Sequence, residues 1–284
     1  MIKVAILGTG NIGTDLLFKL LKVDYVEVIA FVGRRDNSRG IELARSKSVF
    51  CSSQGIDFFI QNPSCCEIVY DCTNAEDAVL HAKVFENQNI KVIDLTPAKV
   101  GPLCVPTINP EELNNSKNVN MITCGGQASL PLLSIVREHC KSIKYIELIS
   151  QIASDSAGMG TRINIDKYIE TTELAIEKFT GCLNNKVILN LNPAIPQVDM
   201  QTTIFIETNI PDLQEFNKKI YQQIEQIRKY IPYYALVMDP VYKDGILILS
   251  VKVRGSGDFL PSYAGNLDII NCAAIQITKS YAKQ

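Results

Sequence analysis

The stretch Gly8-Thr9-Gly10-Asn11-Ile12-Gly13 follows a short apolar run, Lys3 to Leu7, and opens an amphipathic segment. Its spacing is G-x-G-x-x-G, placed after a predicted strand and before a predicted helix. There Gly8 makes the tight turn, Gly10 leaves room for a pyrophosphate and Gly13 lets the helix pack closely on the strand. The sequence therefore predicts a dinucleotide-binding turn at a helix N-terminus. The alternative is a glycine-rich turn that binds nothing.

Strand-like and helix-like segments alternate further along the chain. Apolar strands are predicted at Val26 to Val32, Glu67 to Cys72 and Lys91 to Leu95, with a helix over Ala75 to Asn87. This alternation indicates an α/β fold with a doubly wound parallel sheet of the Rossmann type. Asp71-Cys72-Thr73-Asn74 and Asp94-Leu95-Thr96-Pro97 would lie at carboxyl ends of strands, where ligands bind, unless they are ordinary turns.

The end of the second predicted strand is basic and reads Gly33-Arg34-Arg35-Asp36. An acidic residue there binds the ribose of NAD, whereas arginine accommodates the 2′-phosphate of NADP. Arg34 and Arg35 are therefore candidate ligands of NADP, and a solvated charged loop is the alternative. Asp36 would reach the ribose hydroxyls if the turn shifted by one residue, so NAD and NADP both stay open.

A second chemical centre is predicted in Thr123-Cys124-Gly125-Gly126-Gln127, between an apolar run and a helix-like segment that ends near Cys140. A thiol at a helix N-terminus is expected to have a lowered pKa and to act as a nucleophile. The backbone N–H groups of Cys124 and Gly125 would hold an oxyanion, and Gly125 and Gly126 would let a substrate carbonyl approach. The alternative is a cysteine that merely fills the core.

Longer strands follow this segment and favour a second, α+β domain with a mostly antiparallel sheet. The predicted strands are Lys144 to Ala153, Val187 to Leu191, Thr202 to Thr208 and Ile246 to Val253. A small, glycine-bearing segment, residues 154–162, suits the lining of a cofactor or substrate site, and a flexible loop is its alternative.

Composition excludes several classes of function. The chain has 284 residues, 46% of them hydrophobic, which is enough for one large domain or two modest ones. A net charge of −2 favours neither a nucleic-acid nor a membrane partner. No apolar run approaches the roughly 18 residues of a membrane span and no signal peptide is recognisable, so we expect a soluble, cytoplasmic protein. Nine cysteines without a paired framework indicate reduced thiols, and no metal site is expected.

Six stretches, in order along nearly the whole chain, together resemble the acylating, CoA-dependent acetaldehyde dehydrogenases. They are GTGNIGTDL (8–16), IDLTPA (93–98), NVNMITCGGQA (118–128), SAGMGTR (156–162), NPA (192–194) and YAGNLDI (263–269). The layout is more distantly similar to that of semialdehyde dehydrogenases, which also join a Rossmann domain to a thiol-bearing domain.

The resemblance implies that acetaldehyde or another short aldehyde is oxidised to acyl-CoA through a thioester on Cys124, with NAD or NADP as acceptor. It implies a dinucleotide-binding domain of residues 1–122 plus 264–284 and a catalytic and oligomerisation domain of residues 123–263. A homo-oligomer such as a dimer, a 4-hydroxy-2-oxovalerate aldolase partner and a place in aromatic hydrocarbon catabolism are also implied. The implied cofactor contacts are Thr9, Gly10, Asn11, Ile12, Ser154, Asp155, Ser156, Ala157, Gly158, Met159, Gly160, Thr161, Arg162 and Asn266.

Three departures from the family pattern bear on these implications. Arg34-Arg35 replaces the usual acidic ribose-binding residue. Gln201-Thr202-Thr203 stands where the family has a carboxylate near the cysteine, with Asp199 nearby. The link from Val241 to Ile246 is short, so we expect an oligomer formed through the second-domain sheet but a weak or absent aldolase complex.

Two other functions stay open. A phosphorylating semialdehyde dehydrogenase would need a basic phosphate pocket and usually a histidine base, and the second domain offers only His139. A non-catalytic dinucleotide-binding subunit is the other, favoured by the absence of a carboxylate at Thr202.

Overall fold

The computed structural model describes residues 1–282. Its strands are β1 (Ile2–Leu7), β2 (Val26–Val32), β3 (Cys51–Ser52), β4 (Ile68–Asp71), β5 (Lys91–Asp94), β6 (Asn118–Asn120), β7 (Ile143–Ala153), β8 (Asn185–Asn192), β9 (Met200–Thr208), β10 (Tyr234–Leu236), β11 (Val241–Lys243) and β12 (Ile246–Val253). Its α-helices are α1 (Asn11–Leu20), α2 (Arg39–Ser46), α3 (Ile56–Gln61), α4 (Ala75–Glu86), α5 (Glu112–Asn115), α6 (Cys124–His139), α7 (Met159–Ile163), α8 (Ile165–Thr180), α9 (Leu213–Arg228) and α10 (Gly265–Ala282).

The chain divides into two compact units. The first unit comprises Met1–Met121, Gly158–Asn164 and the described residues from Asn271 onward, and the second comprises Ile122–Ala157 and Ile165–Ile270. The assignment of dinucleotide binding to residues 1–122 plus 264–284 and of catalysis to 123–263 stays a prediction. Its last two positions, 283 and 284, lie outside the described residues.

A six-stranded sheet in the order β3-β2-β1-β4-β5-β6 forms the centre of the first unit. Its pairings are parallel, and this strand order is that of the Rossmann fold. Val4 to Leu7 of β1 and the whole of β4 are buried, because helices cover both faces of such a sheet. The predicted Rossmann-type sheet is confirmed.

The C-terminal part of α10 packs within the first unit. The Asn271 side chain donates to Asp15 Oδ2 at 2.8 Å and to the Ile12 carbonyl at 3.1 Å, and the hydroxyls of Tyr70 and Thr278 are hydrogen-bonded. The end of the described chain is therefore joined to the helix that follows the glycine-rich turn.

The second unit contains a sheet in the order β10-β12-β9-β7-β8, with β11 paired to β12. The β9, β10, β11 and β12 pairings are antiparallel, as predicted. The pair β7 and β8 is parallel, because α8 carries the chain back before β8 begins, and a long helical crossover permits parallel pairing.

Alternate residues divide this second sheet into two faces. Ile146, Leu148, Ile204 and Ile206 are buried on the face against which α6 packs. The opposite face is only partly covered by the residues that the structure describes. We call it the outer face and define it by Ile149, Ile188, Phe205 and Ile248, which are half-buried or exposed.

No helix within residues 1–282 combines the length and the apolar character that crossing a membrane requires. The nine cysteines, all within this range, are free thiols.

Candidate active site

The glycine-rich turn of the first unit has the geometry that its spacing predicts. Gly8 has a φ of 114°, and a Cβ built on Gly13 would lie 1.9 Å from the Gly8 carbonyl oxygen. A Cβ on Gly10 would meet nothing within 4 Å. Gly13 therefore permits helix and strand to pack, whereas Gly10 leaves open space at the N-terminus of α1, where no side chain of the N-cap residue binds the helix.

Two charged residues that follow β2, Arg34 and Asp36, form ion pairs with residues of the helices α4 and α2. Arg34 Nη1 lies 3.1 Å from Asp77 Oδ2, and Arg45 Nη2 lies 2.6 Å from Asp36 Oδ1. The Arg34 side chain is 74% exposed, so a phosphate could replace Asp77 at small cost. Asp36, the candidate for the ribose hydroxyls, is engaged by Arg45.

The carboxyl ends of β4 and β5 carry the two predicted aspartates in register, Asp71 beside Asp94. Asp71 accepts from the Thr73 N–H at 3.0 Å and lies 2.7 Å from His81 Nδ1; Asp94 accepts from the Thr96 N–H at 2.7 Å. Each carboxylate thus binds the backbone two residues ahead, which is turn chemistry. Burial, and then the neighbouring Asp71, raises the pKa of Asp94 above its ordinary value.

The predicted lining segment is divided between the units. Gly158 lies beside the Asn11 amide, its ideal Cβ 3.3 Å from Nδ2, and Gly160 lies beside the Thr73 carbonyl. These residues of the first unit thus meet the glycine-rich turn and the end of β4. Ser154–Ser156 form a short 3₁₀ turn in the second unit, where Asp155 accepts a hydrogen bond from Gln197 at 2.8 Å.

Cys124 is the first residue of α6, where sequence analysis placed it. Thr123 caps the helix by accepting the Gly126 N–H at 2.9 Å. Ile122, just before the cap, has a φ of 67°, a conformation that β-branched residues rarely adopt. The turn into α6 is therefore locally strained, and it places Cys124 at the helix N-terminus.

The expected lowering of the Cys124 pKa is wrong. Burial raises the pKa of this thiol to about 11, and hydrogen bonds from Tyr168 and from the backbone N–H groups of Gly125 and Cys124 offset only part of that rise. The helix N-terminus does not determine the sign of the pKa shift, because removing a thiolate from water costs more free energy than these few hydrogen bonds return.

The residue that sequence analysis missed is Tyr168 on α8. Its Oη lies 3.7 Å from Cys124 Sγ and accepts the Gly125 N–H at 3.0 Å. Behind it, the hydroxyls of Ser150 on β7 and Thr202 on β9 are 3.0 Å apart. No motif marks Tyr168, since a tyrosine on the apolar side of an amphipathic helix is ordinarily a core residue.

The two glycines after Cys124 do not have the predicted role of admitting a substrate carbonyl. A Cβ on Gly125 would lie 2.2 Å from Tyr168 Oη, and one on Gly126 would lie 2.7 Å from Ile122 Cγ2. Protein groups occupy both spaces. The Gly125 N–H, expected to hold an oxyanion, is already donated to Tyr168.

The remaining sequence candidates supply no histidine base for Cys124. His139 ends α6, fifteen residues after Cys124 and so about 22 Å along the helix. Asp199 pairs with Arg254 at 3.4 Å. Asn266 is buried, and its Oδ1 has no hydrogen-bond partner within residues 1–282, which fits an amide that would receive a donor from a bound cofactor.

A Rossmann-type unit with an open glycine turn, joined to a unit that presents a thiol at a helix N-terminus, defines a thiol-dependent dehydrogenase. Two family descriptions match in the same order: "Semialdehyde dehydrogenase, NAD binding domain" over residues 3–116 and "Prokaryotic acetaldehyde dehydrogenase, dimerisation" over residues 124–261. The chain is similar over its full length to the solved aspartate semialdehyde dehydrogenase II of Vibrio cholerae, with a TM-score of 0.65, 17% identity and 99% of that chain covered. At this identity the likeness shows the fold alone.

Curated relatives are far more similar in sequence. The acetaldehyde dehydrogenase of Spirochaeta aurantia is 49% identical, covering 99% of this chain and 95% of the relative. Those of Pectobacterium atrosepticum and Carboxydothermus hydrogenoformans are 44% and 42% identical, over 98% and 100% of this chain and 95% and 94% of the relatives. The chain belongs to the acetaldehyde dehydrogenase family, which confirms the resemblance predicted from its motifs.

Proposed function

We propose that this chain is an acylating aldehyde dehydrogenase that converts an aldehyde, CoA and NAD(P)⁺ into acyl-CoA and NAD(P)H, with acetaldehyde or another short aldehyde as substrate. The position of the Cys124 thiol, on the first residue of α6, carries the proposal. The relatives bear the name acetaldehyde dehydrogenase, and the second-unit family description begins at this residue.

The chemistry begins with the Cys124 thiolate, which adds to the aldehyde carbon and forms a thiohemiacetal. Bound nicotinamide would supply the acceptor for the hydride of this thiohemiacetal, whose hydroxyl proton would pass to water, and a thioester would remain on Cys124. CoA, which attacks as a thiolate after its proton has passed to water, then adds to this thioester, and Cys124 departs as a thiolate. CoA needs no histidine base, because a thiol with a pKa near roughly 8.5 supplies some thiolate unaided.

The residues proposed to hold the dinucleotide fit that group. Gly10 faces open space at a helix N-terminus, Gly158 lies beside Asn11, and Asn266 has a buried oxygen that accepts no hydrogen bond within the described chain. The full proposed set is Thr9, Gly10, Asn11, Ile12, Ser154, Asp155, Ser156, Ala157, Gly158, Met159, Gly160, Thr161, Arg162 and Asn266, with Arg34 and Arg35 at the adenosine ribose.

The oligomer is proposed to be a homodimer, as the description of the matching family indicates. Between β11 and β12 the chain makes only the two-residue turn Asp244-Gly245, with φ values of 52° and 80°. This turn offers little surface for a further partner. We therefore predict that a complex with a 4-hydroxy-2-oxovalerate aldolase is weak or absent. A role in aromatic hydrocarbon catabolism rests on the resemblance alone.

The deciding experiment follows nicotinamide reduction by short aldehydes with CoA, with inorganic phosphate and with neither. We expect activity only with CoA. Cys124→Ser should abolish it and leave dinucleotide affinity nearly intact, because only the nucleophile is removed. Cys104→Ser is the matched control, since Cys104 is a fully buried thiol in the first unit.

Three results would contradict the proposal. Activity that depends on phosphate would identify a phosphorylating semialdehyde dehydrogenase. Dinucleotide binding without reduction of the nicotinamide would identify a non-catalytic subunit. Full activity in Cys124→Ser, with loss in Cys104→Ser, would move the site to another cysteine.

A further inference from the structure

Tyr168 is in hydrogen-bonding contact with the sulfur that the proposed function makes the nucleophile. We propose that Tyr168 is a catalytic residue whose phenolic O–H donates a hydrogen bond to the Cys124 thiolate. The inference rests on the proposed role of Cys124, and the contacts that carry it lie within the second unit.

The direction of this hydrogen bond follows from the charge state of the sulfur. A thiolate carries no proton, so its sulfur can only accept a hydrogen bond. The phenolic O–H, with Oη 3.7 Å from Cys124 Sγ, is then the donor of the pair. Gly125 donates its N–H to Oη at 3.0 Å, which occupies a lone pair of the phenol oxygen and leaves its proton available for the sulfur.

The phenol is the end of a buried chain of hydroxyl groups. Thr202 Oγ1 and Ser150 Oγ are 3.0 Å apart, and both residues are almost completely buried. Hydrogen bonds in series polarise one another in a low dielectric, so each donor strengthens the next. All three members of this hydroxyl chain, Tyr168, Ser150 and Thr202, are uncharged, so the hydrogen bond that reaches the thiol comes from a neutral donor.

Gly125 is required for this arrangement. Its ideal Cβ would lie 2.2 Å from Tyr168 Oη and 2.6 Å from Ser150 Oγ, so a side chain there would displace the phenol from the thiol. The glycine that follows the nucleophile therefore admits a tyrosine hydroxyl.

The electrostatics of the thiol agree with this geometry. Burial raises the pKa of Cys124 to about 11, and the Tyr168 hydrogen bond is the largest influence that opposes it. Within the described residues, the other groups that lower this pKa are the backbone N–H groups of Gly125 and Cys124. Burial also holds the pKa of Tyr168 well above its ordinary value, so the phenol keeps its proton and remains a donor.

The test compares Tyr168→Phe with Tyr234→Phe in the full chain. Tyr234 is a matched control for Tyr168. It is fully buried, and its hydroxyl also contacts α6, because it donates a hydrogen bond at 2.6 Å to the Ala128 carbonyl. The rate at which iodoacetamide alkylates Cys124 is measured across neutral and mildly alkaline pH by mass spectrometry of its peptide. Thermal unfolding of both variants reports their stability.

Loss of the phenol should raise the Cys124 pKa by about one unit, since a hydrogen bond to an ion is lost. The thiolate fraction then falls about tenfold while its nucleophilicity rises, so alkylation should slow about threefold or more. For CoA-dependent aldehyde oxidation, kcat should fall at least about tenfold. Tyr234→Phe should change neither rate, and KM for the dinucleotide should stay constant in both variants.

Alkylation that is unchanged in Tyr168→Phe would overturn the inference, whatever happens to activity. Slower alkylation with unchanged kcat would overturn the catalytic role. If wild type shows no CoA-dependent activity, the proposed function fails. The alkylation comparison then decides by itself whether Tyr168 donates a hydrogen bond to the Cys124 thiolate. Should Tyr168→Phe not fold, Ser150→Ala keeps the phenol and should slow alkylation by a smaller factor, and an unchanged rate there would count against the proposal.

Discussion

Two exposed arginines at the end of β2 bear on the choice of cofactor. Arg34 is paired with Asp77 across an exposed contact, which contributes little and can be exchanged for a stronger partner. A 2′-phosphate facing guanidinium groups would form charge-assisted hydrogen bonds of about 1.5–3 kcal/mol each before desolvation. Asp36, which would favour NAD, is held by Arg45 at 2.6 Å.

We expect Arg34→Ala/Arg35→Ala to lower the ratio of kcat/KM for NADP to that for NAD by about tenfold, equivalent to about 1.4 kcal/mol. The physical reason is that a phosphate loses two charged donors whereas the ribose hydroxyls lose none. Steady-state kinetics with each cofactor measure the ratio. Arg137→Ala/Lys141→Ala removes the same charge near the end of α6 and should leave the ratio unchanged. A double variant with the wild-type ratio and rate would show that these arginines do not bind the cofactor.

Helix α1 is positioned by the glycines that precede it and lie within its first turn. The carbonyl oxygen of Gly8 occupies the space that a side chain on Gly13 would need, whereas the corresponding space at Gly10 is open. The same motif thus contains one glycine that packing requires and one that only a ligand would require.

Matched alanine variants separate these two roles. Gly13→Ala should destabilise the protein by roughly 1–3 kcal/mol, because its Cβ would overlap a backbone oxygen that cannot move freely. Gly10→Ala should leave stability within roughly 0.5 kcal/mol of wild type but weaken dinucleotide binding, because a methyl group would occupy the proposed pyrophosphate space. Urea unfolding and calorimetric titration measure the two effects. Equal losses of stability, or unweakened binding in Gly10→Ala, would contradict this division.

At the scale of the whole molecule, we predict that the protein self-associates through the outer face of the second sheet. Phe205 on β9 lies opposite Ile248 on β12, and Ile149 on β7 lies opposite Ile188 on β8. This sheet side is partly apolar and is only partly covered within the described chain. Apolar sheet faces of this kind are typical of obligate interfaces.

Phe205→Asp should therefore convert the expected dimer into a 31.5 kDa monomer, because a carboxylate would be buried without a partner on both sides of the interface. Light scattering coupled to size-exclusion chromatography measures the mass. Leu183→Asp is the control, since Leu183 is 75% exposed and lies between α8 and β8, outside the sheet. A dimer that survives Phe205→Asp would place the interface elsewhere.

The sequence by itself determined the features that depend on local spacing. The glycine pattern, the alternation of strands and helices and the position of Cys124 at the start of α6 were all predicted, because each is encoded within about twenty consecutive residues. Backbone geometry and hydrophobic period at that range leave few alternatives, and the predicted Rossmann-type sheet followed from them.

Only the tertiary structure decided what surrounds the thiol. Tyr168 is 44 residues from Cys124, and Ser150 is 52 residues from Thr202; nothing in local spacing joins them. The same packing reversed the expected sign of the Cys124 pKa shift and filled the space beside Gly125. The physical reason is that desolvation and hydrogen-bond partnership depend on which distant elements pack together, and a pattern along the chain records only the period of each element.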